Sequence, residues 1–135
     1  MQNLFVNEND DFTVRFTVAT NDKGTIFCDL NRNSLVESLG LDKNKLEIKD
    51  YKAVFARPSF GDSVKLYDSI FSTDGVNVNF NPVEARLRKI VALIKSWDLK
   101  GNNEKPTEAD IRSLHPTIAS AIGAMVDIET GGVFG

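Results

Sequence analysis

Asp11-Phe12-Thr13-Val14-Arg15-Phe16-Thr17-Val18-Ala19-Thr20, then Asn21-Asp22-Lys23-Gly24, then Thr25-Ile26-Phe27-Cys28-Asp29 is the stretch that decides the fold. Phe12, Val14, Phe16 and Val18 alternate with Thr13, Arg15 and Thr17, the period of two that gives a strand one apolar face. Asn and Asp hydrogen-bond locally to backbone and Gly accepts positive φ, so residues 21–24 read as a turn. Thr25-Ile26-Phe27-Cys28 resumes the strand pattern, and Asp11 to Asp29 is expected to form a β-hairpin. Further on, Ser34 to Leu39 suits a short helix ended by Gly40. A further strand is expected in Leu46-Glu47-Ile48 or in Tyr51 to Phe55, before Pro58 interrupts pairing.

From Ser59 the period changes. Val64, Leu66 or Tyr67, Ile70 and Phe71 recur at three- and four-residue intervals, as on an amphipathic helix, with an end expected near Thr73-Asp74-Gly75. Asn81-Pro82-Val83-Glu84 carries a helix-start signature: a capping Asn, Pro at the first helical position and Glu to complete a capping box. Val83, Leu87, Ile90, Val91, Ile94 and Trp97 then form one apolar stripe, predicting a helix through Trp97 with Arg86, Arg88, Lys89 and Lys95 largely off the stripe. Asp98 to Lys105 is a polar turn. Thr107-Glu108-Ala109-Asp110 repeats the cap pattern, Ile111 and Leu114 give the short helix behind it an apolar side, and Pro116 restarts a helix carrying Ile118, Ile122, Met125 and Val126 until Gly131-Gly132. The expectation is therefore one α+β domain over residues 1–135: an N-terminal β-hairpin or small antiparallel sheet (residues 1–56), a C-terminal cluster of short helices (57–130), and a flexible tail at 131–135.

Composition narrows the function classes. The chain has 135 residues, 41% hydrophobic and 26% charged, enough for the core of one ordinary domain. Lys plus Arg number 16 against 19 Asp plus Glu, and the net charge of -3 supplies no global field for nucleic acid or an anionic membrane. Cys28 is the single cysteine, which excludes an internal disulfide and suits a reducing compartment. Met1-Gln2-Asn3 opens without a basic n-region and the apolar runs fall short of the roughly 18 residues of a membrane span, so neither a standard secretion signal nor a membrane partner is expected.

No catalytic constellation accompanies these helices. His115 is the only histidine, stands before Pro116 and has no His or Cys partner at ligand spacing, so a structural or capping role outweighs a metal site. Cys28 lies on an apolar strand face without a neighbouring base and reads as a packed thiol. Asp10-Asp11, and Asp127 with Glu129, could pair as acid and base, but surface carboxylates explain them as well. Gly75, Gly101 and Gly131-Gly132 build no phosphate loop. No enzyme activity, cofactor or metal is expected. The cations between Arg86 and Lys95 give the one nucleic-acid argument, yet such residues normally solvate the outer face of a helix, and few aromatics interleave with them for base stacking. Trp97 reads as a core anchor ahead of an exposed hot spot.

Arg57-Pro58-Ser59-Phe60-Gly61-Asp62, the run Leu87-Arg88-Lys89-Ile90-Val91-Ala92-Leu93-Ile94-Lys95-Ser96-Trp97-Asp98-Leu99, and then Lys105-Pro106-Thr107-Glu108-Ala109-Asp110-Ile111 with Leu114-His115-Pro116 together resemble the small tail assembly proteins of bacteriophages. The resemblance covers roughly the last 80 residues and rests on a succession of short helices. It implies a non-enzymatic, chaperone-like role in tail morphogenesis, in the host cytoplasm during assembly, with other phage tail or structural proteins, or further copies of the chain, as partners. The β-rich first part fits that family less clearly and leaves open a structural component of the virion in the tail, baseplate or head-tail region. A small nucleic-acid-binding regulator is a further alternative. On the assembly reading Arg86, Arg88, Lys89, Ile94 and Trp97 are the expected partner-binding residues, with the cations orienting the partner and the apolar face packing the domain or docking it.

Overall fold

The alternating run becomes strand β1 (Asp11–Thr20), which turns into β2 (Ile26–Asp29) as an antiparallel hairpin with Thr20 opposite Ile26 and Thr17 opposite Asp29. In this computed structural model, which describes residues 4–7, 10–39, 46–71 and 82–131, the turn closes as its chemistry requires. Asn21 Oδ1 accepts the amides of Lys23 (3.0 Å) and Thr25 (2.9 Å), and Gly24 takes φ +79°. Helix α1 (Arg32–Ser38) starts earlier than the sequence suggests, because the Asn31 side chain caps it by accepting the Ser34 amide at 3.0 Å. Gly40 lies outside the described residues. The two segments read as alternative strands are one, β3 (Glu47–Ala56), paired antiparallel with β1 along its whole length from Asp11 opposite Ala56 to Thr20 opposite Glu47.

Helix α2 (Phe60–Phe71) opens on a reciprocal cap in which Ser59 Oγ accepts the Asp62 amide (3.1 Å) while Asp62 Oδ2 accepts the Ser59 amide (3.2 Å). Its expected end near Thr73 to Gly75 and the Asn81 cap lie outside the described residues, as does the tail beyond Gly131. Helix α3 (Pro82–Leu93) begins at the proline as predicted, but the stripe through Trp97 is corrected: the helix stops at Leu93 and Ile94–Trp97 is strand β4. Ile94 stands opposite Phe55, Ser96 opposite Val54 and Trp97 opposite Ala53, so Lys95 is the additional residue of a β-bulge. The bulge lets two residues three apart face the same side of a sheet, a spacing that otherwise marks a helix. Helix α4 (Glu108–Arg112) carries the full Thr107/Asp110 capping box, and α5 (Pro116–Glu129) is capped by His115, whose Nδ1 accepts the Thr117 amide at 3.2 Å.

The sheet order is β2-β1-β3-β4, antiparallel throughout. Its inner face presents Phe12, Val14, Phe16 and Val18 beside Ala53 and Phe55, with Ile94 and Trp97 at the β4 edge. Over them lie Ile90 and Leu93 of α3, Ile111 of α4, and Ile122 and Val126 of α5. Phe12 stacks on Phe55 at 5.4 Å between centroids, and the Arg57 guanidinium sits 5.1 Å from the Phe12 ring. Burying each large side chain contributes about 1.5–3 kcal/mol, and this face supplies most of the folding drive. On the outer face Thr17 and Ala19 are buried, α1 packs against β1 and β2, and Arg32 of α1 bonds Asp50 of β3. On the same face Thr13 and Arg15 of β1 are exposed.

Candidate functional site

The helical layer is not closed. Between α3, the end of α4 and the start of α5 lies a cavity of about 550 Å³, lined by the apolar side chains of Val83, Leu87, Ile90, Ile111, Leu114 and Ala119. That volume is in the range of specific binding pockets. Val83 stands at its mouth, 77% exposed, and Ser120 is exposed on the opposite wall. Helix α4 is only five residues long, and among the described residues its Ile111 reaches the core while Arg112 lines the opening.

A ring of charged groups adjoins this opening, with Glu84 and Arg112 in its lining. Glu84 meets Arg88 Nε at 3.4 Å and Arg112 Nη2 at 3.2 Å, while Glu108 meets Arg112 Nε at 3.2 Å and Arg88 Nη1 at 3.5 Å. Two carboxylates and two guanidinium groups thus form a closed ring tying α3 to α4. Each pair is solvent-exposed and individually weak, but the shared partners hold the ring in one geometry.

The cavity wall is built on Arg86. Its side chain lies across Gly123 of α5, where an added Cβ would fall 2.2 Å from Arg86 Cδ, and it donates to Asp127 Oδ2 through Nε (3.2 Å) and Nη2 (2.8 Å). Lys89, 5% exposed, reaches Asp127 Oδ1 at 3.6 Å. Burial lowers the Lys89 pKa from the usual lysine range, and Asp127 opposes that shift.

The expected partner-binding residues therefore separate. Arg86 lines the cavity, Arg88 does not line it but pairs with Glu84, which does, and Lys89 is buried behind the wall rather than solvated. Ile94 and Trp97, 4% and 2% exposed, lie on β4 in the sheet core and leave no surface for a partner. Lys95 is likewise on β4, its Nζ 2.9 Å from Asp11. The carboxylates weighed as acid–base pairs serve other cations: Asp127 holds Arg86, Glu129 holds Arg57 at 2.7 Å, and Asp11 holds Lys95. From sequence Glu84 and Glu108 read only as parts of helix-start patterns and Arg112 carries no reading, although the i,i+4 spacings Glu84 to Arg88 and Glu108 to Arg112 are visible there.

Cys28 is half-buried beside the core and its thiol is pushed up to about 11, first by burial and then by Asp29. Among the described residues no group of three or more His, Cys, Asp or Glu side chains is placed to hold a metal ion, and no helix is long and apolar enough to cross a membrane. The chemistry offered by the cavity is apolar burial beside a fixed charged ring. No protein-family model, curated protein or solved structure matches the chain.

Proposed function

We propose that this chain is a non-enzymatic assembly protein that takes up an apolar segment of a partner protein in the α3–α4–α5 cavity. The cavity itself carries this reading: about 550 Å³, lined mostly by apolar side chains and open among the described residues, beside a ring of paired charges. Apolar side chains entering it would be removed from water at about 25 cal/mol per Å², and the ring would fix their direction. The setting in bacteriophage tail morphogenesis, as a chaperone for tail components, is supported by the resemblance carried by Arg57 to Asp62 and Leu87 to Leu99.

The test is co-expression with the tail proteins of the same phage, followed by gel filtration of the complex. Ser120→Trp should occlude the cavity from an exposed position and abolish complex formation without lowering the melting temperature. A complex formed equally well by Ser120→Trp would sink the cavity as the docking site. A second reading, a structural component of the virion, is favoured by exposed apolar side chains on separate elements, Phe60 at 87% and Ile128 at 70%. Fixed copy number in purified particles would select the second reading, and absence from them the first.

A further inference from the structure

On the opposite side of the molecule the outer sheet face carries an electrostatic arrangement that the fold does not explain. Arg15 of β1 stands directly opposite Lys52 of β3, and both side chains point away from the core. Directly opposed cross-strand residues have Cβ atoms about 4.5–5.5 Å apart, and like charges there repel. Arg32, Arg57, Arg86, Arg88 and Arg112 each hold a carboxylate. Among the described residues, Arg15 is the one arginine that holds none, and Lys52 holds none either.

The two cations line a cleft of about 370 Å³ between the sheet and α1, together with Thr17, Arg32, Asp50 and Asp98. Its two carboxylates are already engaged. Asp50 accepts from Thr17 Oγ1 (2.6 Å) and from Arg32, and the Thr17 bond is the first cause of its lowered pKa. Asp98 Oδ1 accepts the backbone amide of Lys52 at 2.9 Å. Three cations therefore meet two carboxylates, so the cleft keeps an excess of one positive charge, and neither Arg15 nor Lys52 holds a carboxylate.

We infer that this cleft is a docking site for an acidic segment of a protein partner, whose carboxylates would bridge Arg15 and Lys52. Charge complementarity selects the occupant. A phosphate backbone places a charge at every step, and its continuation would run over Asp50 along β3 or Asp98 towards β4. One or two carboxylates on a flexible peptide meet the cations and can turn away from both aspartates. The inference rests on the partner-binding reading above but uses another surface, so the two can fail separately.

The experiment is fluorescence anisotropy of the full chain with a fluorescein-labelled oligoglutamate across a salt series. An oligonucleotide of equal charge and inorganic phosphate serve as competitors. Wild type should bind the peptide with an affinity that falls as salt rises, and Arg15→Gln/Lys52→Gln should weaken it about tenfold or more, as expected for losing charge-assisted hydrogen bonds. The double variant should melt at or above the wild-type temperature, since it removes a repulsion, so lost binding would not reflect unfolding. Ser120→Trp should leave this binding unchanged. Absence of salt-sensitive peptide binding, equal binding by the double variant, or tighter binding of the oligonucleotide would each overturn the inference. Displacement of the peptide by phosphate at comparable concentration would also overturn it, reducing the cleft to a simple oxyanion site.

Discussion

Gly123→Ala isolates the contact on which the cavity wall depends. In the interior of a helix such as α5, replacing Gly by Ala ordinarily stabilises by about 1 kcal/mol, because Gly gives up more backbone freedom on folding. Here the new Cβ would sit 2.2 Å from Arg86 Cδ and 2.9 Å from its Cγ, contacts that the middle of a side chain cannot relieve while its head stays on Asp127. Arg86 must swing away and release two hydrogen bonds to a largely buried carboxylate. Bonds to charged groups contribute about 1.5–3 kcal/mol, and because Arg86 is 38% exposed the lower end applies after screening. Adding about 1 kcal/mol for the displaced stem gives a loss of roughly 2–3 kcal/mol. Offset by the helix gain, Gly123→Ala should destabilise by about 1–2 kcal/mol. The assay is urea unfolding of a double-mutant cycle with Arg86→Ala. In the Arg86→Ala background the same substitution should stabilise by about 1 kcal/mol, a reversal of sign that no general helix effect produces. Stabilisation of equal size in both backgrounds would refute the packing of Arg86 over Gly123.

Trp97→Ala should cost about 3–5 kcal/mol in denaturant unfolding, as for a fully buried aromatic, and retention of stability would place Trp97 outside the core. Thr107→Ala should cost about 1 kcal/mol, measured the same way, since it removes one arm of the α4 capping box and with it support for the ring residues Glu108 and Arg112. Cys28 should alkylate slowly with iodoacetamide at pH 8, because a pKa moved from 9.0 to about 11 lowers the thiolate fraction about a hundredfold, and the rate should climb until about pH 11. The stability linkage has a fixed sign. The folded thiol holds its proton more tightly than the unfolded one, so its contribution is fully present below pH 9.0 and lost as pH rises through about 11. Alkylation at pH 8 as fast as in the unfolded chain would show the thiol to be free of that environment.

Elements specified by local chemistry were legible. The hairpin follows from alternation plus an Asx-type turn, and the starts of α3, α4 and α5 from Pro82, the Thr107/Asp110 pair and the His115-Pro116 step. Strand β4 was not, for a physical reason. Its four residues carry apolar side chains at positions i and i+3, which satisfy the helical template that α3 had just established. Only the bulge at Lys95 makes them a strand, and that bulge is defined by pairing with β3, some forty residues earlier in the chain. Lys89 was misread for a similar reason: nothing near it in sequence reveals the carboxylate that makes its burial tolerable. Asp127 comes from α5, as does the 41-residue separation between Arg86 and its partner.

The outer sheet face shows how far a charge can be interpreted without its neighbour. In sequence, Arg15 is an outward position in an alternating strand and asks for no explanation. What stands opposite it depends on the β1–β3 register, and that register is held by the inner face, where Phe12 stacks on Phe55 and Val14 faces Ala53. Sliding either strand by one residue would turn the apolar set outward, so the core enforces the meeting of positions 15 and 52 whatever residues occupy them. The enforcement extends to the positions and not to their charges. An outward pair on an outer antiparallel face accepts Thr, Ser or Gln at no cost to packing, and opposed cations lose about 0.2–1 kcal/mol relative to such a pair. The folded core therefore accounts for the geometry of Arg15 and Lys52 and leaves their charges unconstrained. On the proposed docking of an acidic segment, an anion bridging them would turn the repulsion of the free protein into attraction in the complex.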